Sequence, residues 1–318
     1  MKDQKKAYLY AGLTILLWST VASAFKISLR YLNFVELLSI ASFISTLCLF
    51  IILLSKNKIH LLKTIKKRDF FYSSLLGALN PFLYYLIVFK AYELLPAQQA
   101  QPLNLTWGIV IVLLSAPILK QKITGRTFIA VLVSFCGVLV ISTEGNFAHL
   151  QIKSPFGVGL AVGSSLIWSF YWLLNTKDKL DPIVRLFLNF CWGTVFTFLY
   201  LLAFFPLRIP PVEGILGAVY SGIFEMGVTY YVWLKALKLS QTTARVSILI
   251  YIMPFISLIF IHLTVGEDIL LSSVFGLALI VSGILLQKLG EARGAGPPRG
   301  QGKSGSAAGA NDGRLLCR

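Results

Sequence analysis

Charge is scarce in this sequence. Only 13% of its 318 residues are Asp, Glu, Lys or Arg, about half the share usual in a soluble domain. Apolar types supply 56% and mean hydropathy is +0.76, so most of the chain reads as solvated by lipid. Cysteine pairs are missing as well. Cys48, Cys136 and Cys191 lie inside apolar stretches and Cys317 near the carboxyl end, which gives neither a disulfide framework nor a C-x-x-C metal spacing. The three histidines, His60, His149 and His262, stand apart from one another and from acids, so no H-E-x-x-H zinc site is expected. No G-x-x-x-x-G-K-[ST] phosphate loop occurs either, which argues against direct ATP coupling. The net charge of +16 is spread between apolar runs and along the tail rather than over an aromatic-studded face, so it does not imply a nucleic-acid partner. No cofactor and no metal are expected.

Long apolar stretches fill what remains. A helix needs about 20 mostly apolar residues to cross a bilayer, and runs of that kind begin near Tyr8, Phe34, Phe70, Ala97, Thr127, Gly157, Arg185, Gly214, Thr243 and Ser272. The second five resemble the first five. Trp18-Ser19 returns as Trp168-Ser169, and Tyr85 with Lys90-Ala91 returns as Tyr230 with Lys235-Ala236. A repeat with an odd number of crossings enters the membrane from opposite sides in its two copies. The expectation is therefore an all-α integral membrane protein of ten transmembrane helices, built from inverted-topology five-helix repeats at 8–143 and 157–288. In transporters with inverted repeats the substrate site lies between the halves near the midplane.

Cations set the orientation. With the amino terminus inside, 24 of the 29 Lys and Arg residues fall in inside segments and 5 outside, in accord with the positive-inside rule. Both termini are expected to be cytoplasmic, in a bacterial inner (plasma) membrane. Lys2 to Lys6, the first apolar run and Ala22-Ser23-Ala24 also resemble a cleavable secretory signal. The Trp-Ser match between spans one and six favours a retained helix. From 290 to 318 the sequence turns to Gly, Ala, Pro, Ser and Arg, the composition of a disordered cytoplasmic tail.

Leu17-Trp18-Ser19 followed by Lys26, the echo Ile167-Trp168-Ser169, and the run from Tyr84-Tyr85 to Lys90-Ala91 carry a family likeness. So do Ile252-Met253-Pro254, the Gly266-Glu267 that follows and the glycine-containing last span. Together they resemble the drug/metabolite transporter superfamily and, more narrowly, the ten-helix EamA type over residues 8 to 288. The resemblance implies two inverted five-helix units around a central cavity and export of small metabolites, often amino acids or related amphiphilic compounds. The halves have diverged at one point, where Gln121-Lys122 stands against Gly266-Glu267.

Glu225 is the one acid at the middle of a span. An ionisable group there is costly, by about 2.5–3.5 kcal/mol on insertion scales, and reads as functional by default. Sliding the second half by 145 residues sets it opposite Asn80, whose neighbour Pro81 opens the helix. Two polar breaks at matching depth mark the expected site. Glu225 could carry a coupled proton or pair with an amine on the substrate; as a structural residue it would bind Asn80 or Thr229. Trp18, Trp168, Tyr84 and Tyr230 are candidate aromatic walls, alongside the softer Tyr85, Trp107, Tyr171, Trp172 and Tyr231, any of which could instead sit at the lipid interface. Gln101 and Asn104 share a face at the start of span four. Asn175 and Asn189 read as interhelical hydrogen-bond partners and His262 as an interface residue. Lys26, near the outer end of span one, is a candidate for a substrate carboxylate, whereas it and Arg245 could also snorkel to headgroups. Gly137, Gly276 and Gly283 permit close packing of spans five and ten, either as an internal seam or as a homodimer face.

The leading reading is a secondary transporter, an exporter working by alternating access on a small-molecule substrate in the lipid bilayer. A nucleotide-sugar or phosphosugar exchanger is the alternative, but it would favour several buried cations. A membrane-embedded enzyme would need a catalytic constellation, and a channel would need charge rings or a filter loop.

Overall fold

The computed structural model describes residues 3–119, 125–146, 152–176, 178, 180–240, 246 and 248–294. Among these every regular element is helical, as lipid requires of open chains that must satisfy their own backbone. The α-helices are α1 (Gln4–Ser28), α2 (Phe34–Ser55), α3 (Lys67–Gly77), α4 (Tyr84–Leu94), α5 (Ala97–Asn104), α6 (Trp107–Leu119) and α7 (Gly125–Ser142). They continue as α8 (Pro155–Thr176), α9 (Pro182–Phe204), α10 (Val212–Ser221), α11 (Val228–Leu239), α12 (Met253–Val265) and α13 (Leu271–Gly294). Six uninterrupted or merged helical stretches are long and apolar enough to cross a membrane: Gln4–Ser28, Phe34–Ser55, Lys67–Leu94, Pro155–Asn175, Pro182–Phe204 and Val212–Leu237. Shorter apolar helices cover Phe128–Ser142, Leu249–Val265 and Leu271–Leu286. The expected span near Thr243 begins among residues outside the description, as do Arg245 and positions 295–318 of the expected tail.

Local sequence sets the helix ends. Asn33 and Glu36 form a reciprocal capping box at α2. Asp181 caps α9, with Pro182 at its first position. Gly266 closes α12 in the left-handed region, at φ 79°.

Two of the long helices are broken in their middles. Between α3 and α4 the turns at Ala78–Leu83 widen into a π-helix, where Asn80 has extended backbone (φ −150°, ψ 120°) ahead of Pro81. Between α10 and α11 the same widening occupies Gly222–Gly227. Proline explains the first break by removing a donor. In the second, glycines flank Glu225.

Packing is crossed between the early and late parts of the chain. Helix α1 lies against α10, α11 and α12, whereas α8 lies against α4, α5 and α6. Helix α2 packs on α9, and α7 on α13. The α7–α13 seam is close because Gly137 and Gly276 face one another: a Cβ on Gly137 would come within 2.5 Å of the Gly276 carbonyl. The outward faces carry Leu9, Ile51, Phe71, Leu199 and Leu263 exposed, the surface expected against acyl chains.

Candidate functional site

The Gly222–Gly227 break frees backbone carbonyls that three side chains then satisfy. The Ser45 hydroxyl on α2 donates to the Gly222 carbonyl at 2.8 Å, and the Trp18 indole on α1 donates to the Glu225 carbonyl at 3.2 Å. Thr229, one turn on, donates to the Phe224 carbonyl. In an apolar medium such capping is what makes an interrupted helix tolerable. Thr229 thereby serves the backbone and not the Glu225 carboxylate.

That carboxylate projects into a ring of aromatic residues. Its Oε1 accepts from the Tyr85 hydroxyl at 3.0 Å, and the Tyr85 and Tyr230 oxygens lie 3.4 Å apart. Trp18 meets Tyr230 edge-on with centroids 6.1 Å apart; Tyr230 meets Trp168 at 6.3 Å and Trp172 at 6.5 Å. Trp168 meets Tyr84 at 4.6 Å, and Tyr84 returns to Tyr85 at 4.7 Å. The tyrosines Tyr84, Tyr85 and Tyr230 are buried, yet Glu225, Trp18, Trp168 and Trp172 keep partial exposure. Glu225 is therefore partly accessible rather than sealed. No Lys or Arg among the described residues hydrogen-bonds to this ring of side chains.

Other expected residues extend it or stand apart. The Tyr84 hydroxyl donates to Asn104 Oδ1 at 3.1 Å, and Asn104 passes the chain on to Ser164 at 2.7 Å. Gln101, one turn earlier, is buried with its Oε1 lacking a hydrogen bond. Asn80 is fully buried and does not reach Glu225; its amide makes no hydrogen bond of good geometry, although the Tyr171 hydroxyl is within electrostatic reach. Asn189 donates to that hydroxyl at 3.2 Å. Lys26 spends its ammonium on the carbonyls of Tyr92 (2.8 Å) and Leu95 (2.6 Å), at the corner between α4 and α5. Opposite it, Glu267 accepts from the backbone N–H groups of Ala97 and Gln98, which fixes the start of α5. His262 contacts the Glu267 carbonyl at 3.0 Å.

Two buried or packed side chains went unnoticed in the sequence, the second of them away from the aromatic ring. Trp233 packs 5.9 Å from Trp18, and only helical periodicity from Tyr230 could have pointed to it. Arg185 looked like an ordinary inside cation but is 3% exposed; an acid seven residues before it, Asp178, was the available signal.

The described helices thus bring together a broken span, a carboxylate at the break and a wall of aromatic rings. The model of the EamA-like transporter family matches residues 5–143 and 155–287. The chain belongs to the EamA-like transporter family. An uncharacterized transporter of Archaeoglobus fulgidus is 25% identical over 288 residues, covering 88% of this chain and 98% of that protein. One of Clostridium kluyveri is 24% identical over 292 residues, covering 89% and 93%. The uncharacterized transporter YvbV of Bacillus subtilis is 26% identical over 164 residues, about half of each chain. A solved crystal structure superimposes with a TM-score of 0.64 at 22% identity, over 92% of this chain and all of the other, which establishes a shared fold. This EamA-like protein is thus an integral membrane transporter and not an enzyme.

Proposed function

We propose that this EamA-like protein is a secondary transporter that exports a small amphiphilic metabolite, with the Glu225 carboxylate as the group that meets the substrate or a coupled proton. The partly accessible carboxylate at a helix break, held by Tyr85 inside an aromatic wall, carries the proposal. Aromatic faces and a carboxylate both favour an amine on an apolar body, such as an amino acid. A phosphosugar would need cations that the described residues do not bring to the site. The other candidates take graded parts in this reading. Trp18, Trp168, Tyr84 and Tyr230 form the wall, Asn104 and Gln101 present amides at its edge, and Asn80 sits at the matching break. Lys26 holds the corner between α4 and α5.

Alternating access between inverted five-helix halves fits the crossed packing. If 8–143 and 157–288 are equivalent, α1 on α10–α11 corresponds to α8 on α4, and the π-helical breaks at Ala78–Leu83 and Gly222–Gly227 correspond to each other. Such halves rock about a site at their interface. The cation excess supports the reading that both termini face the cytoplasm across a bacterial inner membrane. The α7–α13 seam accounts for Gly137 and Gly276 within one molecule, without calling on a second copy.

Purified protein in proteoliposomes tests the reading. Candidate amines and amino acids found in excess in the medium of expressing cells should show saturable uptake and counterflow. Flux that never saturates, or no flux of any amine-bearing metabolite with folded protein, removes it.

A further inference from the structure

We propose that two ion-paired clusters at opposite ends of the molecule are reciprocal latches: Arg185 with Asp178 and Asp69 closes the end that carries the amino terminus, and Glu36 with Arg208 closes the other. The proposal rests on the alternating-access reading above.

Arg185 stands in the first turn of α9, and its guanidinium is fully committed. It bonds through two nitrogens to the carboxylate of Asp178. It donates to the Asp69 carbonyl at 2.7 Å and the Ser73 hydroxyl at 2.6 Å, and lies 3.9 Å from the Asp69 carboxylate. It also sits over the Tyr72 ring at 5.1 Å, while the Tyr72 hydroxyl donates to the Leu174 carbonyl at 3.2 Å. The start of α3 is in this way tied to the corner between α8 and α9. At the far end Glu36, in the first turn of α2, is 5% exposed. Arg208 grips it through two nitrogens at 2.6 and 2.7 Å and donates to the Tyr31 carbonyl at 3.0 Å. This ties the approach to α10 to the corner between α1 and α2.

The two contacts are counterparts. Each joins the first turn of one long helix, α2 or α9, to the entrance of one broken helix, α10 or α3, and each bridges the two family-matched stretches: Glu36 to Arg208 at one end, Arg185 to Asp69 and Ser73 at the other, while Asp178 shares the stretch of Arg185 and holds its guanidinium in place. The signs are exchanged, Glu on α2 and Arg on α9, so the latches need not be alike in sequence. Forked guanidinium–carboxylate contacts are directional; the one at Arg185 is dry, whereas at the other end Glu36 is buried and the Arg208 side chain is 50% exposed. A buried charge stripped of its partner is strongly unfavourable, but an end that opens admits water, which hydrates the released charge. Such a pair favours a shut end without preventing an open one. Both latches are made in this structure.

The test uses a variant in which Cys48, Cys136, Cys191 and Cys317 are serine and Glu225→Cys reports access to the site. Oriented membrane vesicles are exposed to a membrane-impermeant thiol reagent from either side. Arg185→Gln with Asp178→Asn, which leaves no lone buried charge between them, is expected to raise labelling from the amino-terminal side about fivefold and lower it from the other. Glu36→Gln with Arg208→Gln is expected to do the reverse, and the exchange Glu36→Arg with Arg208→Glu to restore the original sidedness. The latches are overturned if folded, monodisperse variants label with unchanged sidedness, or if both pairs shift it the same way. Label that enters but ignores the latches leaves the transport reading standing. No label from either side in any variant would mean that position 225 is reached from neither side, and both proposals fall with that.

Discussion

Tyr85 and Tyr230, 145 residues apart, bring their hydroxyls within 3.4 Å, and Tyr85 alone donates onward to the Glu225 carboxylate. The separation equals the slide that sets Asn80 against Glu225. A pseudo-two-fold axis through the proposed site would pass between these two rings, so the carboxylate supplied by the later stretch is steadied by a hydroxyl from the earlier one.

Tyr85→Phe deletes the one side-chain hydrogen bond that the carboxylate accepts among the described residues. A hydrogen bond to a charged group contributes about 1.5–3 kcal/mol, so counterflow efficiency should fall about tenfold or more. Glu225→Gln, which keeps the shape and loses the charge, should fall further. Equal transport by Glu225→Gln and wild type in proteoliposomes would relegate the residue to a structural part.

The α7–α13 seam leaves no room for a methyl group. Gly137→Ala or Gly276→Ala, each bringing Cβ within 3 Å of a carbonyl on the facing helix, should destabilise by about 1–3 kcal/mol. Gly12→Ala and Gly159→Ala, where a Cβ would meet nothing within 4 Å, should not. Melting temperatures in one detergent compare the four directly.

Lys26 is expected to act on architecture. Lys26→Met strands the carbonyls of Tyr92 and Leu95 and should lower the melting temperature, by the equivalent of roughly 1–3 kcal/mol, with KM unchanged for a substrate lacking a carboxylate. A large KM increase confined to carboxylate-bearing substrates would move Lys26 into the binding site.

Asp181 predicts an acid-side dependence. Burial pushes its carboxyl up, but the Lys58 ammonium at 2.5 Å and the N–H groups of Ile183 and Val184 outweigh that and hold it below the usual carboxylate range. A folded-state value below the unfolded one adds stability that is present above about pH 4 and is lost as pH falls through the folded value. Asp181→Asn should remove that acid-side slope and cost a few tenths of a kcal/mol to about 1 kcal/mol at neutral pH through the weakened cap. Identical melting curves from pH 3 to pH 7 for both proteins, windows chosen around the ordinary carboxylate value of about 3.9, would contradict it.

Much of this was legible because lipid restricts the options. Expected starts at Phe34 and Ala97 coincide with those of α2 and α5, and those at Arg185, Gly214 and Ser272 lie within about a turn of the observed ones. The break at Asn80-Pro81 follows from proline chemistry, and the repeat offset alone pointed from it to Gly222–Gly227. What the sequence concealed was direction. Which way an amide or ring turns depends on the neighbouring helix, so Asn80 went to the Tyr171 side while Tyr85, first noticed as a repeat marker, became the partner of Glu225. Arg185 was hidden for a different reason: in a linear count a buried, fully bonded cation and a snorkelling one weigh the same.

Crossed packing has a consequence for how the molecule can be assembled. Because α1 finds its partners in α10–α12 and α8 finds its partners in α4–α6, neither family-matched stretch can bury its own leading helix unaided. Contacts between the stretches, more than within them, therefore seat both leading helices. Two separately synthesised pieces should complement each other, and either piece alone would expose to lipid the faces that wall the proposed site.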